Sequence, residues 1–322
     1  MLILKRQLWA AVYLIILLSL FSGVYAQKKK AVKSVPAGNA AMWEKVDVGQ
    51  RDLFAGPGGT AMVPDLSTIK FIKEEKAGYN KKYRISDGSG RTWVAKLGRE
   101  ARAETAAVRL LWGLGYKTEI NYLVPTITIP GKGTFQNVRL EARPDNIERL
   151  DGWRWKQNPF VGTKELQGLK MMMIFMTNWD AKDIQNKVLQ VGNEKHYIVS
   201  DLGGTFGRLG NNNLPLFFRI GRKTGSPKHY IKTKFVSKVK NGEVILASKG
   251  SKNRNIFKGF TVADARWLSN LLNQLTDKQI RDTFRAANFS PADVETYVRA
   301  VKTKVGELDR AAGEPNLAVT GQ

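Results

Sequence analysis

The stretch "LKMMMIFM", residues 169–176, is apolar on nearly every side and is followed at once by "TNWDAKDIQN". A helix without a polar face has to be buried all round, so this one belongs at the centre of a sizeable body. Thr163 can cap it, and the helix is expected through "KELQGLKMMMIFMTN". The segment after it carries two aspartates, a lysine, a glutamine and two asparagines. Such groups cost free energy to desolvate. They either form a solvated turn or hold something.

The flanking pattern divides the chain. "STIKFIKEE", "KKYRISD" and "RTWVAKLG" read as strands, with "DGSG" at 87–90 turning the last two into a hairpin. "REARAETAAVRLLWGLGY" reads as a helix stopped at Gly115, and "YLVPTITI" and "TFQNVRLEA" as further strands. After the central helix come short strands near 187–191 and at "HYIVSD", then a basic hairpin turning at Asn241-Gly242. Three helices follow, "TVADARWLSNLLNQL", "TDKQIRDTFRAA" and "SPADVETYVRAVKTKVGEL". The expectation is an α+β chain. Residues 66–150 form a small β-rich lobe with one helix, and 151–311 a larger, mostly helical lobe with a basic insertion at 208–258. Residues 27–65, rich in Lys, Gly, Pro and Ala, read as a linker, and 312–322 as a loose tail.

The first 26 residues differ from the rest. Lys5 and Arg6 precede an apolar run from Leu8 to Phe21, and Val24 and Ala26 place small residues at −3 and −1. That is the layout of a signal peptide cleaved after Ala26, so export to a periplasmic, secreted or outer-surface location is expected. An uncleaved signal anchor is the alternative, although the run is short for a span of about 20 residues.

Zero cysteines exclude disulfides, thiolate metal sites, cysteine nucleophiles and lipidation at the cleavage point, and two histidines leave little for a histidine-rich metal centre. The formal charge of +24 is unevenly spread: from Arg208 to Lys258 there are thirteen Lys or Arg and one acid, Glu243. Such a field favours an anionic substrate or partner and contact with an anionic membrane surface. Nucleic acid is not an expected partner of an exported chain, and a merely solvated basic face is the plain alternative.

Four pieces then line up: Lys96 on the strand "VAK", Glu104 on the next helix, Asp180 and Lys182 in "NWDAK", and Asp201 in "VSDLGGTFG" after an apolar strand. This order resembles the two-lobed protein-kinase-like fold, and "NWDAK" looks most like the N-x-D loops of HipA-like and phosphatidylinositol-kinase-like proteins. The short interval from Lys96 to Glu104 is similar to the atypical branches, which include the secretory-pathway kinases. The resemblance spans roughly 67–207. It implies that Lys96 contacts nucleotide phosphates, Glu104 orients Lys96, Asp180 is the catalytic aspartate with Lys182 beside it, and Asp201 binds metal. Gly203, Gly204 and Gly207 would let the chain turn next to phosphate. The family's second metal ligand lies five residues after the aspartate; that position is Gln185, with Asn186 one further on, and either amide could serve. The phosphate-covering loop has only Gly78. The implied cofactors are Mg2+ and ATP or another nucleotide. Because extracytoplasmic spaces hold little ATP, an inactive pseudokinase-type binding protein, whose basic surface engages anionic lipid, envelope polymer or an acidic protein, is the other reading.

Overall fold

The computed structural model describes residues 38–76, 80–210, 221–248 and 254–313. The expected leader, Gly78, residues 211–220 of the basic segment and the tail from 314 lie outside them.

Strands β2 (Lys70–Glu75), β3 (Lys82–Ser86), β4 (Thr92–Lys96), β5 (Asn121–Ile129) and β6 (Gly133–Ala142) form an antiparallel sheet in the order β2-β3-β4-β6-β5. The β3–β4 turn is fixed by Asp87, whose carboxylate accepts from Arg91 N at 2.9 Å and from Trp93 Nε1 at 2.9 Å. Alternation along the strands gives the sheet two unlike faces. Tyr83, Ile85, Trp93, Ala95, Val138 and Leu140 build an apolar core on one face. The residues one step out of phase are Val94, Lys96, Arg139 and Glu141, and the register pairs Lys96 with Arg139 and Val94 with Glu141. Helix α1 (Glu100–Gly113) packs against β5 and β6.

The second lobe is built round α2 (Lys164–Phe175), whose first turn is capped by Thr163 accepting from Leu166 N at 3.2 Å. Leu169 and Met171 through Phe175 are all buried, as a stretch apolar on nearly every side requires. The larger core gathers α3 (Pro227–Tyr230), α4 (Val262–Leu272), α5 (Asp277–Arg285) and α6 (Pro291–Gly313) around it. Thr261 and Thr276 close capping boxes at the starts of α4 and α5. Two small sheets flank these helices. One runs β1-β9-β8-β7, from β1 (Asn39–Ala41), β9 (Glu194–Val199), β8 (Asn186–Val191) and β7 (Ile147–Arg149). The other comprises β10 (Val236–Lys240), β11 (Glu243–Leu246) and β12 (Phe260–Thr261). The β10–β11 hairpin turns at Asn241 and Gly242, with φ of 50° and 74°, the left-handed pair a two-residue turn demands.

Two boundaries move. Strand β7 lies before residue 150 but pairs with β8, so the small lobe ends with β6. The segment expected as a linker is packed from residue 38 onward. β1 pairs in parallel with β9, and Met42, Val48 and Leu53 are at most 1% exposed in the larger core. Trp43 Nε1 donates to Leu114 O at 2.7 Å, and Gln279 Nε2 donates to the carbonyls of Val48 at 2.6 Å and Arg51 at 2.9 Å. A few apolar anchors suffice to hold a stretch whose Gly and Pro content resembles a linker. The chain is an α+β protein with a small β-rich lobe carrying one helix and a larger lobe with a helical core. Among the described residues no helix is long and apolar enough to cross a membrane.

Candidate active site

Lys96 is the last residue of β4, on the sheet face turned toward α1. Glu104 lies one turn into that helix and meets it: Lys96 Nζ is 2.8 Å from Glu104 Oε2, 3.1 Å from Asp201 Oδ1 and 3.6 Å from Glu100 Oε2. Lys96 is 3% exposed and Glu104 is fully buried, whereas the Asp201 side chain is 41% exposed. Burial lowers the pKa of the lysine, but the carboxylates of Glu104 and Asp201 more than offset it and raise it above the usual value. Burial pushes the Glu104 carboxyl up, opposed by Arg139 and Lys96. Burial works the same way on Asp201, yet the Lys96 ammonium and the Gly203 N–H, 3.3 Å away, hold its carboxyl below the usual range.

The polar segment after α2 closes the other side. Thr177, at φ 55°, turns the chain, and Asn178 Oδ1 accepts from Asp180 N at 2.9 Å. Trp179 N donates to Gly204 O at 3.1 Å, fastening this loop to the segment after Asp201. The Asp180 carboxylate accepts from Gln185 Nε2 at 2.8 Å and pairs with Lys182 Nζ at 2.8 Å. Ser200 N donates to Gln185 O at 2.8 Å, one residue from Asp201. All four sequence pieces therefore converge along Asp180, Gln185, Ser200, Asp201, Lys96 and Glu104.

Asn186 takes another direction. It opens β8, is fully buried and donates Nδ2 to Trp153 O at 3.1 Å. Gln185 ends the short 3-10 turn Asp183–Gln185 just before that strand, and of the two amides it is the one that bonds Asp180. The glycines also act differently from expectation. Gly203, Gly204 and Gly207 all lie outside the left-handed region. What they supply is room: an added Cβ would stand 2.8 Å from Glu100 Cβ at Gly203, 3.0 Å from the Trp179 ring at Gly204 and 2.0 Å from Lys223 O at Gly207.

A buried charge network behind Lys96 was not singled out in the sequence. Arg139 Nη1 lies 3.2 Å from Glu104 Oε1 and Arg139 Nη2 2.6 Å from Glu141 Oε2. Arg149 Nη2 reaches both Glu119 and Glu141 at 2.6 Å, and Ser200 Oγ donates to Glu119 at 2.8 Å. Burial and the adjacent Glu141 push the Glu119 carboxyl up to about 7, while Arg139 and Arg143 hold Glu141 low against the effect of its own burial. The available signal was Arg139 and Glu141 two apart in a strand, which puts both on one face. Glu119 and Arg149 also line a cavity of about 530 Å3, together with Arg84, Ala142, Pro144 and Leu189.

The donor set suits a hard divalent cation held mainly by its ligand. Asp201 offers a half-exposed carboxylate, and Gln185, having given its NH2 to Asp180, keeps an amide oxygen. Magnesium takes oxygen ligands and commonly only one or two protein carboxylates beside phosphates.

The chain is similar to the Helicobacter pylori proinflammatory kinase CtkA, at 10% identity and a TM-score of 0.47, over 78% of this chain and 97% of that one. It is also similar to the golgi casein kinase, at 9% identity and a TM-score of 0.41, over 78% of this chain and 73% of that one. No family model and no curated protein matches the sequence. At this level of likeness the weight falls on the chain's own geometry. The small sheet, its single helix, the Lys96–Glu104–Asp201 contacts and the Asp180 loop that closes on them give this chain an atypical protein-kinase-like fold.

Proposed function

We propose that this chain is a magnesium-dependent phosphotransferase taking phosphate from ATP or another nucleotide to a hydroxyl-bearing or anionic substrate. The observation that supports it most is Lys96 held between Glu104 and Asp201, one carboxylate buried and the other open to solvent. A lysine so placed offers its ammonium to phosphate oxygens, and Glu104 keeps it aimed there. Asp180 would hold the acceptor hydroxyl and take its proton, with Lys182 stabilising the charge nearby. Bound magnesium would neutralise charge developing on the phosphates. Asp201 and Gln185 would hold it.

Titration of the full chain with nucleotide, with and without magnesium, followed by thermal shift, tests this reading. A magnesium-dependent rise in Tm that is lost in Asp201→Ala is expected. The absence of any rise in the parent protein overturns it.

A pseudokinase-type binding protein is the second reading, and one observation favours it. The Asp180 carboxylate is already engaged by both Lys182 and Gln185. Nucleotide binding without turnover on any hydroxyl substrate is its signature. Export by way of residues 1–26 is part of both proposals; it rests on the sequence pattern and is checked by sequencing the N-terminus of the mature protein.

A further inference from the structure

The chain from Arg208 to Asn241 contains no acid, and its described part lies directly against the site. Residues 205–208 and 223–226 run side by side. Gly225 N donates to Thr205 O at 3.0 Å and Ser226 N to Phe206 O at 2.7 Å, while Arg208 and Lys223 exchange backbone hydrogen bonds at 3.0 and 3.1 Å. Thr224 Oγ1 donates to the Gly203 and Thr205 carbonyls, so this ladder continues the segment that begins at Asp201. Helix α3 follows at once and adds Lys228, with Lys232 one turn later; both are exposed, as is Lys223. His229, tied to Ser226 at 2.7 Å, sits among these cations. Slight burial together with Arg208, Lys228, Lys223 and Lys232 keeps its imidazole below the usual pKa. None of the four forms an ion pair with a carboxylate among the described residues.

Arg222 connects this patch to the catalytic loop. Its guanidinium lies over the Trp179 ring, 4.7 Å from the centroid, in the residue before Asp180, and its buried Nε has no hydrogen-bond partner among the described residues. Uncompensated cations gathered on one surface attract an anion. We infer that Arg208, Arg222, Lys223, Lys228 and Lys232 form a docking surface for an acidic stretch of a polypeptide substrate, presenting its neighbouring hydroxyl to Asp180. This rests on the phosphotransferase reading and specifies its substrate class. A polypeptide is favoured over an anionic bilayer because the cations share one ladder with Asp201 and one stacked ring with the Asp180 loop. Whatever they hold is brought to both aspartates, which a substrate needs and a membrane surface does not.

The test measures binding of short fluorescent serine-containing peptides by anisotropy: one flanked by Glu and Asp, one uncharged and one flanked by Lys, at about 50 and about 300 mM salt. The acidic peptide is expected to bind selectively and to weaken with salt. The triple variants Lys223→Ala/Lys228→Ala/Lys232→Ala and Lys223→Gln/Lys228→Gln/Lys232→Gln are expected to weaken it by about tenfold or more. Their nucleotide-dependent thermal shift should be retained, which also shows that they are folded. Equal binding of the three peptides, or unchanged affinity in the triple variants, overturns the inference. Cosedimentation with phosphatidylserine vesicles in the absence of acidic-peptide binding overturns it in favour of a membrane. Charge-selective peptide binding in a protein that shows no nucleotide shift supports the docking surface and removes the phosphotransferase reading alone.

Discussion

Lys96 and Asp201 are 105 residues apart in the chain, yet Nζ and Oδ1 meet at 3.1 Å. One ends a strand of the small sheet and the other follows a strand of the larger lobe, so this contact joins the two halves at the site itself. Lys96→Met would leave Glu104 buried with Arg139 as its remaining close cation. Breaking a buried pair from one side costs about 3–5 kcal/mol. The variant should lose an amount toward the lower end of that range in urea denaturation, because Arg139 remains. Its nucleotide-dependent Tm shift should vanish. An unchanged denaturation midpoint would show that the lysine contributes little to holding the site.

Asp180 and Asp201 should separate by readout. Asp180→Asn keeps its shape and its contact with Lys182 can persist, so nucleotide binding should survive while turnover falls by about 10²–10⁴, the usual contribution of a positioned base. Asp201→Asn should instead lose the magnesium dependence of binding. Single-turnover kinetics for the first variant and calorimetric magnesium titration in the presence of nucleotide for the second distinguish them.

The adjacent amides make a sharper pair. Gln185→Ala should weaken magnesium-dependent nucleotide binding with little loss of stability, since Gln185 is partly exposed. Asn186→Ala should leave that binding intact and lower stability by about 1–3 kcal/mol, because the buried Trp153 carbonyl loses its donor. Reversed outcomes would place the metal on Asn186.

Gly207→Ala should destabilise by about 1–3 kcal/mol or more, as overpacking does, since its Cβ would stand 2.0 Å from the Lys223 carbonyl. The strain falls on the ladder that carries the basic patch. Acidic-peptide binding should therefore fall along with Tm.

Lys304 sets an alkaline signature. It is 1% exposed, donates to Thr233 Oγ1 at 2.8 Å and lies over the Tyr230 ring. Burial pushes its pKa down to about 8 from 10.5. Below pH 8 the lysine is charged both folded and unfolded, and the burial penalty is present in full. Between about 8 and 10.5 the unfolded chain binds more proton, so stability rises with pH by up to about 3 kcal/mol. Lys304→Met should remove that rise from the difference between the two stability-versus-pH curves measured in urea.

How much could be read in advance depended on the kind of signal. Lys96, Glu104 and Asp201 were legible because each residue's placement follows from one element: a strand end, a helix one turn past its start, a strand exit before glycines. Which of Gln185 and Asn186 bonds Asp180 was not, since it depends on where the 3-10 turn Asp183–Gln185 ends and β8 begins, and such boundaries are set by tertiary packing. Arg139, Glu119 and Arg149 were missed because partners drawn from two strands, a helix and loops leave no local pattern. Residues 38–65 were misread because composition reports the average of a segment, whereas Met42, Val48 and Leu53 anchor it individually.

That misread segment has a mechanical consequence. It starts on the sheet of the larger lobe, ties Trp43 and Glu44 to the end of α1, gives two carbonyls to Gln279 and reaches the small sheet, where Tyr122 donates to Gly59 O at 2.6 Å. It is a seam sewn through both halves along one edge, so any opening of the cleft has to pivot about that edge. A protein trimmed back to the first strand of the small sheet would retain every residue of the site and lose its fastening. Activity lost on such trimming, in a protein whose urea denaturation shows the larger core intact, would report slack between the halves with the chemistry itself still in place.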